Sequence, residues 1–286
     1  MKINAYAKIN IGLDVLKRRV DGYHEVRMIM QSIALHDELE IDRTDERGIF
    51  IHTDREDLPV NEDNLIYKAA GLMMDEYDLP GGMRIELTKI IPIAAGLAGG
   101  SSDAASAIIA INKLYQLGLK QEELASIGVR IGADVPFCIM GGTVLSEGIG
   151  EILTPISPFP GCGILIAKPP VSISTAYVYS HLCLDKITHP DIDGMISGID
   201  RGDIKEISSR MGNVLESVTI EDNPVIEDIK RIMIENGSVG ALMSGSGPSV
   251  FGLFDSEEMI KKTYEILSGS GLVSELFITE PLDPQN

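Results

Sequence analysis

The sequence predicts an α+β fold in two domains, and three observations carry that expectation. Segments of period-2 hydrophobic alternation are interleaved with segments of helical period along the whole chain. A Pro/Gly-rich break from Thr154-Pro155 to Pro160-Gly161 divides it near the middle. The second half carries strands and helices in an order that suggests a ferredoxin-like layer. The expected domains are 1–158, a nucleotide-binding domain with a glycine-rich phosphate loop, and 159–286, the ferredoxin-like domain.

From Met1 to Val15 the odd positions (Ile3, Ala5, Ala7, Ile9, Ile11, Leu13) are apolar, and the even ones include Lys8, Asn10 and Asp14. That is a strand with one buried face, whose polar members recur about every 6.6 to 7 Å. A solvated face and a functional one both fit. Asp21-Gly22 marks a turn, with Tyr23 and His24 directly after it. The two rings could sandwich a base or sugar, or pack on their own hairpin. Val26 to Ile41 is expected as strand interrupted by Asp37 and Glu38, and Ile49 to Thr53 as a further short strand.

Asn61 to Asn64 should cap a helix running through Leu65, Ala69, Leu72 and Met73. Met83, Ile85 and Leu87 alternate as the strand feeding the stretch Pro92-Ile93-Ala94-Ala95-Gly96-Leu97-Ala98-Gly99-Gly100-Ser101-Ser102. Glycines admit backbone close to a ligand, and the Ala/Ile-rich helix that follows, ending near Leu117-Gly118, offers unpaired N–H groups at its start. Phosphate is the natural occupant, although a packing turn would also need glycine. Gly100 is followed by Ser101, so G-x-x-x-x-G-K-[ST] is absent, and G-x-G-x-x-G is absent too. A second helix through Leu124, Ile127 and Ile131 should stop at Gly132. Asp134 follows in a segment with no other charge, where a carboxylate needs a cation, a capping N–H or a reaction.

Gly141 to Leu153 reads as a closing hairpin. Beyond the break, Gly163 to Lys168 is expected as strand, Ala176 to Cys183 as helix, and Asp185 to Asp203 as loop with a weak helix. Ile204 to Val214 and Pro224 to Asn236 read as amphipathic helices. Ala241 to Met243 and Val250 to Phe254 read as strands flanking the loop Ser244-Gly245-Ser246-Gly247-Pro248-Ser249. A helix (Ser256 to Leu267) and a strand (Leu276 to Thr279) end the pattern.

A net charge of −19 argues against nucleic-acid and anionic-membrane partners, whose affinity comes from clustered Lys and Arg. Small phosphorylated ligands need only local amides and one or two cations. Cys138, Cys162 and Cys183 are far apart and odd in number, so neither a disulfide framework nor a zinc site is expected. The uncharged stretch from Ile152 to Ala167 is broken by three prolines, and the chain opens without a basic-then-apolar leader, so a cytoplasmic protein is expected.

Three separated segments resemble one family. Pro92 to Ser102 resembles the P-x-x-x-G-L-x-x-S-S phosphate loop of the GHMP kinases, with Gly99-Gly100 where relatives often carry one glycine. The first strand and Ser244 to Ser249 resemble that family's first and third motifs. Ala7 to Ile11, Arg19 to Glu25, Ala98 to Ala105 and Gly132 to Phe137 look closely like the branch acting on a cytidine diphosphate-linked sugar alcohol in non-mevalonate isoprenoid synthesis.

The resemblance implies a two-domain fold with the active site in the cleft, ATP and Mg2+ as cofactors, and phosphorylation of the acceptor's 2-hydroxyl. It implies Asp134 as general base assisted by Lys8. ATP would lie along Pro92 to Ser102, with adenine near Asn64 and Lys89. The acceptor would meet Asn10, Tyr23, His24, Thr175, Tyr179 and Gly245. An obvious Glu ligand for the metal is lacking, which leaves Ser101 or Ser102. The expected state is a monomer or weak homodimer. The alternatives are a sister kinase for homoserine or a mevalonate-type acceptor, which would have no use for Tyr23-His24, and a non-catalytic ligand-binding relative.

Overall fold

The structure, a computed structural model, describes residues 1–283. The chain forms two compact units, neither of them contiguous in sequence. The first holds Met1–Ala7, Leu35–Ile93 and Ala98–Met140; the second holds Lys8–Ala34, Ala94–Leu97 and the described residues from Gly141 onward. Two long strands, β1 (Lys2–Arg18) and β2 (His24–Thr44), pass through both.

In the first unit β3 (Gly48–Thr53) lies parallel to β4 (Gly82–Thr88), which lies antiparallel to the end of β2, giving the order β3-β4-β2-β1. The helices α1 (Leu65–Glu76), α2 (Gly99–Tyr115), α3 (Gln121–Val129) and α4 (Val135–Met140) complete this unit. Small residues on α2 (Ala104, Ala105, Ala107, Ala110) let it lie close against α1, and both enter a core with Leu39, Ile41, Met83 and Ile85. The Asn64 cap appears as expected: its Oδ1 accepts from Ile66 N–H at 2.8 Å. Helix α4 was not anticipated; it carries Pro136 at its second position. At the first turn of a helix proline loses nothing, its missing N–H being one of the unsatisfied four.

The expected interruption of β2 at Asp37 does not occur. The strand runs unbroken from His24 to Thr44, and Asp37 is fully buried within it. Its Oδ1 accepts from the Ile90 and Ile91 N–H groups at 2.6 and 2.7 Å, so the carboxylate is solvated by backbone rather than by water.

In the second unit β2 pairs antiparallel with β5 (Thr143–Gly148), which forms the expected hairpin with β6 (Ile152–Pro155). A four-stranded antiparallel sheet follows: β7 (Gly163–Lys168), β9 (Gly240–Met243), β10 (Val250–Phe254) and β11 (Glu275–Thr279), in the order β11-β7-β10-β9. Numbered within this sheet the order is 4-1-3-2. Helix α9 (Val225–Glu235) packs on β9 and β10, and α10 (Glu257–Ser268) on β7 and β11, so the ferredoxin-like expectation holds.

Between them lie α5 (Thr175–His181), α6 (Ile192–Arg201), α7 (Ile204–Arg210), β8 (Gly212–Asn213) and α8 (Glu216–Asp222). Helix α6 is a full ten-residue helix where a weak one was expected, capped by Asp191 and closed by Gly202 in the left-handed conformation. The helix expected to Val214 stops at Arg210, because Gly212 and Asn213 pair in parallel with Gly12 and Leu13 of β1. Helix α8 was also missed. No helix among the described residues is long and apolar enough to cross a membrane.

Two glycines of the first unit give opposite expectations. A Cβ on Gly82 would stand 2.2 Å from the Glu46 carbonyl oxygen and 2.3 Å from that of Gly48, whereas one on Gly71 in α1 meets only the Ile49 side chain at 3.6 Å. Gly82→Ala should lower stability by about 1–3 kcal/mol, as overpacking against backbone does. Gly71→Ala should raise it by about 0.5–1 kcal/mol through helix propensity. Urea unfolding of both variants checks the pair.

Candidate active site

Between β4 and α2 the backbone takes a repeating left-handed step: Ala94, Gly96 and Ala98 have φ of 51°, 75° and 57°. Left-handed residues recurring in a turn are a feature of backbone concavities that bind anions. Two of the three are alanines, which adopt this region only at a cost and only when their surroundings hold them there. Helix α2 begins at once, its first internal bond being Ser102 N–H to Ala98 C=O at 2.8 Å. The N–H groups of Gly99, Gly100 and Ser101 precede that bond and have no carbonyl of their own helix to meet. The Ser102 hydroxyl donates to the Tyr6 carbonyl at 2.6 Å. Of the two hydroxyls named for a metal, that of Ser102 is thus tied to β1, and Ser101 is half-buried beside Gly132. The paired glycines differ: a Cβ on Gly99 would press on Lys89 Nζ at 2.8 Å, while one on Gly100 has room.

The second unit gathers most of the residues expected around the acceptor. Lys8, Asn10 and Asp14, left open as a solvated face, are all buried. Lys8 Nζ donates to Asn10 Oδ1 at 2.6 Å and to the Gly96 carbonyl at 2.9 Å. The same carbonyl accepts from Ser244 Oγ at 2.9 Å. A Cβ on Gly96 would fall 2.1 Å from the Ser244 carbonyl oxygen, and one on Gly245 would lie 3.4 Å from Lys8 Nζ. The two glycine-rich segments therefore meet, and the ammonium of Lys8 sits at their junction. Thr175 Oγ1 and Ser246 Oγ are 2.8 Å apart, so α5 is tied to the same loop.

The His24 and Tyr179 rings lie 5.3 Å apart at 41°, which brings residues from the hairpin and from α5 together. Burial and the Arg18 charge lower the pKa of His24, favouring the neutral ring. Tyr23, one residue earlier, is exposed. Its backbone N–H is held by Asp21 Oδ1 at 3.1 Å within the turn.

Asn64, Lys89 and Asp134 lie in the first unit. Both polar ends of Asn64 are committed, Oδ1 to Ile66 and Nδ2 to the Pro59 carbonyl at 2.7 Å. Lys89 is buried, its ammonium held between Asp37 and Asp103, with Asp103 Oδ2 at 2.7 Å. It therefore lies beneath the first turn of α2, with its charge directed at carboxylates. Asp103 Oδ1 makes no hydrogen bond among the described residues. Burial, reinforced by the Asp37 charge and opposed by Lys89, pushes the Asp103 carboxyl up to about 8, so it holds its proton at neutral pH. Sequence reasoning missed this cluster; the break expected at Asp37 was its only local trace. Asp134 is half-buried and stands directly before α4, its carbonyl receiving the Cys138 N–H at 3.1 Å.

Residues 64–142 match the family described as GHMP kinases N terminal domain, and residues 195–271 that described as GHMP kinases C terminal. The chain belongs to the GHMP kinase family. Within that family it is similar to the 4-diphosphocytidyl-2-C-methyl-D-erythritol kinase of Lachnospira eligens, with 51% identity over 99% of each chain. It is 50% identical to the protein of the same name from Acetivibrio thermocellus, again over 99% of each. A crystal structure titled 4-(cytidine 5'-diphospho)-2C-methyl-D-erythritol kinase superposes with a TM-score of 0.86 at 30% identity, covering 99% of this chain and 100% of the other. The first GHMP match contains the glycine loop and Asp134; the second contains Asn213 and the loop from Ser244.

The buried cluster predicts two unequal variants. Asp103 binds its proton in the folded state up to about pH 8 but loses it near pH 4 when unfolded. Between those values the folded state carries the extra proton, so its contribution to stability falls as pH rises. Asp103→Asn removes that dependence, and its stability advantage over the wild type should grow from pH 4 to pH 8. Asp37→Asn leaves a buried ammonium short of its counter-charge and should cost about 3–5 kcal/mol at pH 7. Chemical denaturation across that pH range measures both.

Proposed function

We propose that the chain is an ATP-dependent kinase that phosphorylates the 2-hydroxyl of 4-diphosphocytidyl-2-C-methyl-D-erythritol in non-mevalonate isoprenoid synthesis. The observation that carries this reading is the full-length likeness to kinases of that name, at up to 51% identity. Support comes from the junction of Lys8, Asn10, Gly96 and Gly245, which pairs a buried cation with a backbone concavity of the kind phosphates occupy.

Phosphoryl transfer asks mainly for alignment and charge neutralisation. In this reading Pro92 to Ser102 cradles the ATP phosphates with main-chain amides and the start of α2. Asp134 accepts the proton of the acceptor hydroxyl. Lys8 assists and offsets charge on the migrating phosphoryl group, while Asn10 hydrogen-bonds the acceptor. The cytosine lies against Tyr23, its edge met by His24, with Thr175, Tyr179 and Gly245 lining the rest. A neutral imidazole suits that edge because it offers one donor and one acceptor.

Adenine lies near Asn64 and Lys89, which act there through packing, since their polar side-chain ends are occupied. No group of three or more His, Cys, Asp or Glu side chains among the described residues could hold a metal ion. Magnesium bound mainly by nucleotide phosphates and water fits such a site, with Ser101 or Ser102 as the protein ligand. When bound it neutralises phosphate charge. A small-molecule acceptor, rather than nucleic acid or membrane, agrees with the net charge of −19. The same reading takes the protein as a cytoplasmic monomer or weak homodimer.

Coupled ADP-release assays with the diphosphocytidyl acceptor, homoserine and mevalonate test the assignment. Turnover should require the first, and turnover of another acceptor, or nucleotide binding without ADP release, would overturn it. Asp134→Asn should lower turnover about 10²- to 10⁴-fold with the fold retained, the usual worth of a general base. Near-normal turnover would remove Asp134 from that role. Tyr23→Ala should weaken acceptor binding by about 1–3 kcal/mol if a base stacks there, while an unchanged acceptor KM would leave the ring to its own hairpin.

A further inference from the structure

Asn213 occupies half of the two-residue strand β8, opposite Leu13 of β1, and is buried. Its Nδ2 donates to the Met243 carbonyl at 2.8 Å and to the Gly245 carbonyl at 2.7 Å, while its Oδ1 accepts from Leu215 N–H at 3.0 Å. One amide thus grips both ends of the peptide unit around Ser244. The gripped segment is a glycine turn, with Gly245 at φ 58° and Gly247 N–H bonded to the Ser244 carbonyl at 2.9 Å. The turn is buried, and the Asn213 amide, with both donors used, is a constraint on its position from outside the loop.

What the turn positions is the Gly96 carbonyl. Ser244 Oγ donates to that oxygen, and Ser249 N–H bonds the Ala95 carbonyl at 3.3 Å. Lys8 Nζ donates to the same Gly96 oxygen. A lysine ammonium stands at the end of four rotatable bonds, so strand β1 fixes its Cα and leaves the charge to be placed by acceptors.

We propose that Asn213 is a positioning residue for Lys8, acting through Ser244 and the Gly96 carbonyl to set where the ammonium sits. The proposal rests on the reading of Lys8 as a catalytic group. In this proposal the effect of Asn213 reaches the reaction through the lysine. Removing its donors should let the turn, and with it the Gly96 oxygen, move by a fraction of an ångström to about one, and misplacement on that scale can cost about 10²-fold in rate.

The test uses the full chain in single-turnover phosphoryl transfer with ATP, Mg2+ and the diphosphocytidyl acceptor. Nucleotide titration and thermal unfolding are run alongside. Asn213→Asp keeps the acceptor for Leu215 N–H and deletes both donors. It should slow transfer about 10- to 100-fold, with a smaller change in nucleotide Kd. Ser244→Ala, which removes one hydroxyl from the path, should slow it in the same direction by less. The deciding measurement is the double variant Asn213→Asp/Lys8→Met, which should be no slower than Lys8→Met alone, because residues acting as one unit are not additive. Multiplying effects would mean that Asn213 supports the fold without acting through Lys8, and would overturn the proposal. So would wild-type transfer rates in Asn213→Asp or, should that variant not fold, in Ser244→Ala. A wild type without acceptor-dependent ADP release overturns the kinase reading and this proposal together. An active wild type beside an unaffected Asn213→Asp overturns this proposal alone.

Discussion

The Gly96 carbonyl is the point on which the second unit's site depends. It receives Lys8 Nζ and Ser244 Oγ at the same distance, 2.9 Å, and does so because no side chain stands at Gly96 to keep the Ser244 carbonyl away. A φ of 75° makes the position one that glycine adopts freely, and the close approach makes it one that only glycine can fill. Two loops without regular pairing hold each other through this contact. The loops themselves start and end on strands and helices of fixed geometry, so irregular backbone is held by regular elements on either side.

The charge balance follows the same division of labour. A chain of net charge −19 could attract phosphate only locally, and it buries two lysines, Lys8 and Lys89, in defined polar surroundings. Lys89 is enclosed by Asp37 and Asp103, one of which keeps its proton, so the cluster beneath α2 is close to neutral and stays in place without polarising the loop above. Lys8 donates to two neutral acceptors, Asn10 Oδ1 and the Gly96 oxygen, which help to orient its ammonium. The two buried lysines differ in their neighbours: Lys89 Nζ meets two carboxyl groups, and Lys8 Nζ meets a side-chain amide and a backbone carbonyl.

Much of this was legible in the residue pattern where structure is set by local period. The alternation in Met1 to Val15 gives β1, the four strands of the second sheet fall at the expected positions, and Asn64, Ser256 and the glycine loop mark element starts. Illegible features depended on distant partners. Asp37 looks like a strand breaker until the Ile90 and Ile91 N–H groups are known to face it. Gly212-Asn213 looks like a helix end until β1 lies beside it. Lys89 was expected near adenine, and nothing in its sequence neighbourhood announces the two carboxylates that claim its charge. Asn64 reads correctly as a cap, and the cap itself consumes the polar atoms a ligand would use.

The register of β1 joins these levels. Its odd positions, Ala7, Ile9, Ile11 and Leu13, enter the core, and its even positions carry Lys8, Asn10 and Asp14. Because side chains alternate with a period of two, a slip of one residue would exchange the two sets. Isoleucine would then stand at the glycine loop and an ammonium in the hydrocarbon interior. The slip is opposed twice, by the apolar burial it would undo and by the ladder that sets Gly12 against Gly212 and Leu13 against Asn213. A two-residue strand contributes little stability as a strand. Its pairing nevertheless fixes Asn213 relative to Lys8 along one shared frame, so the constraint that keeps the core side of β1 in register also aligns the amide that holds the Ser244 turn with the lysine that shares the Gly96 carbonyl with Ser244.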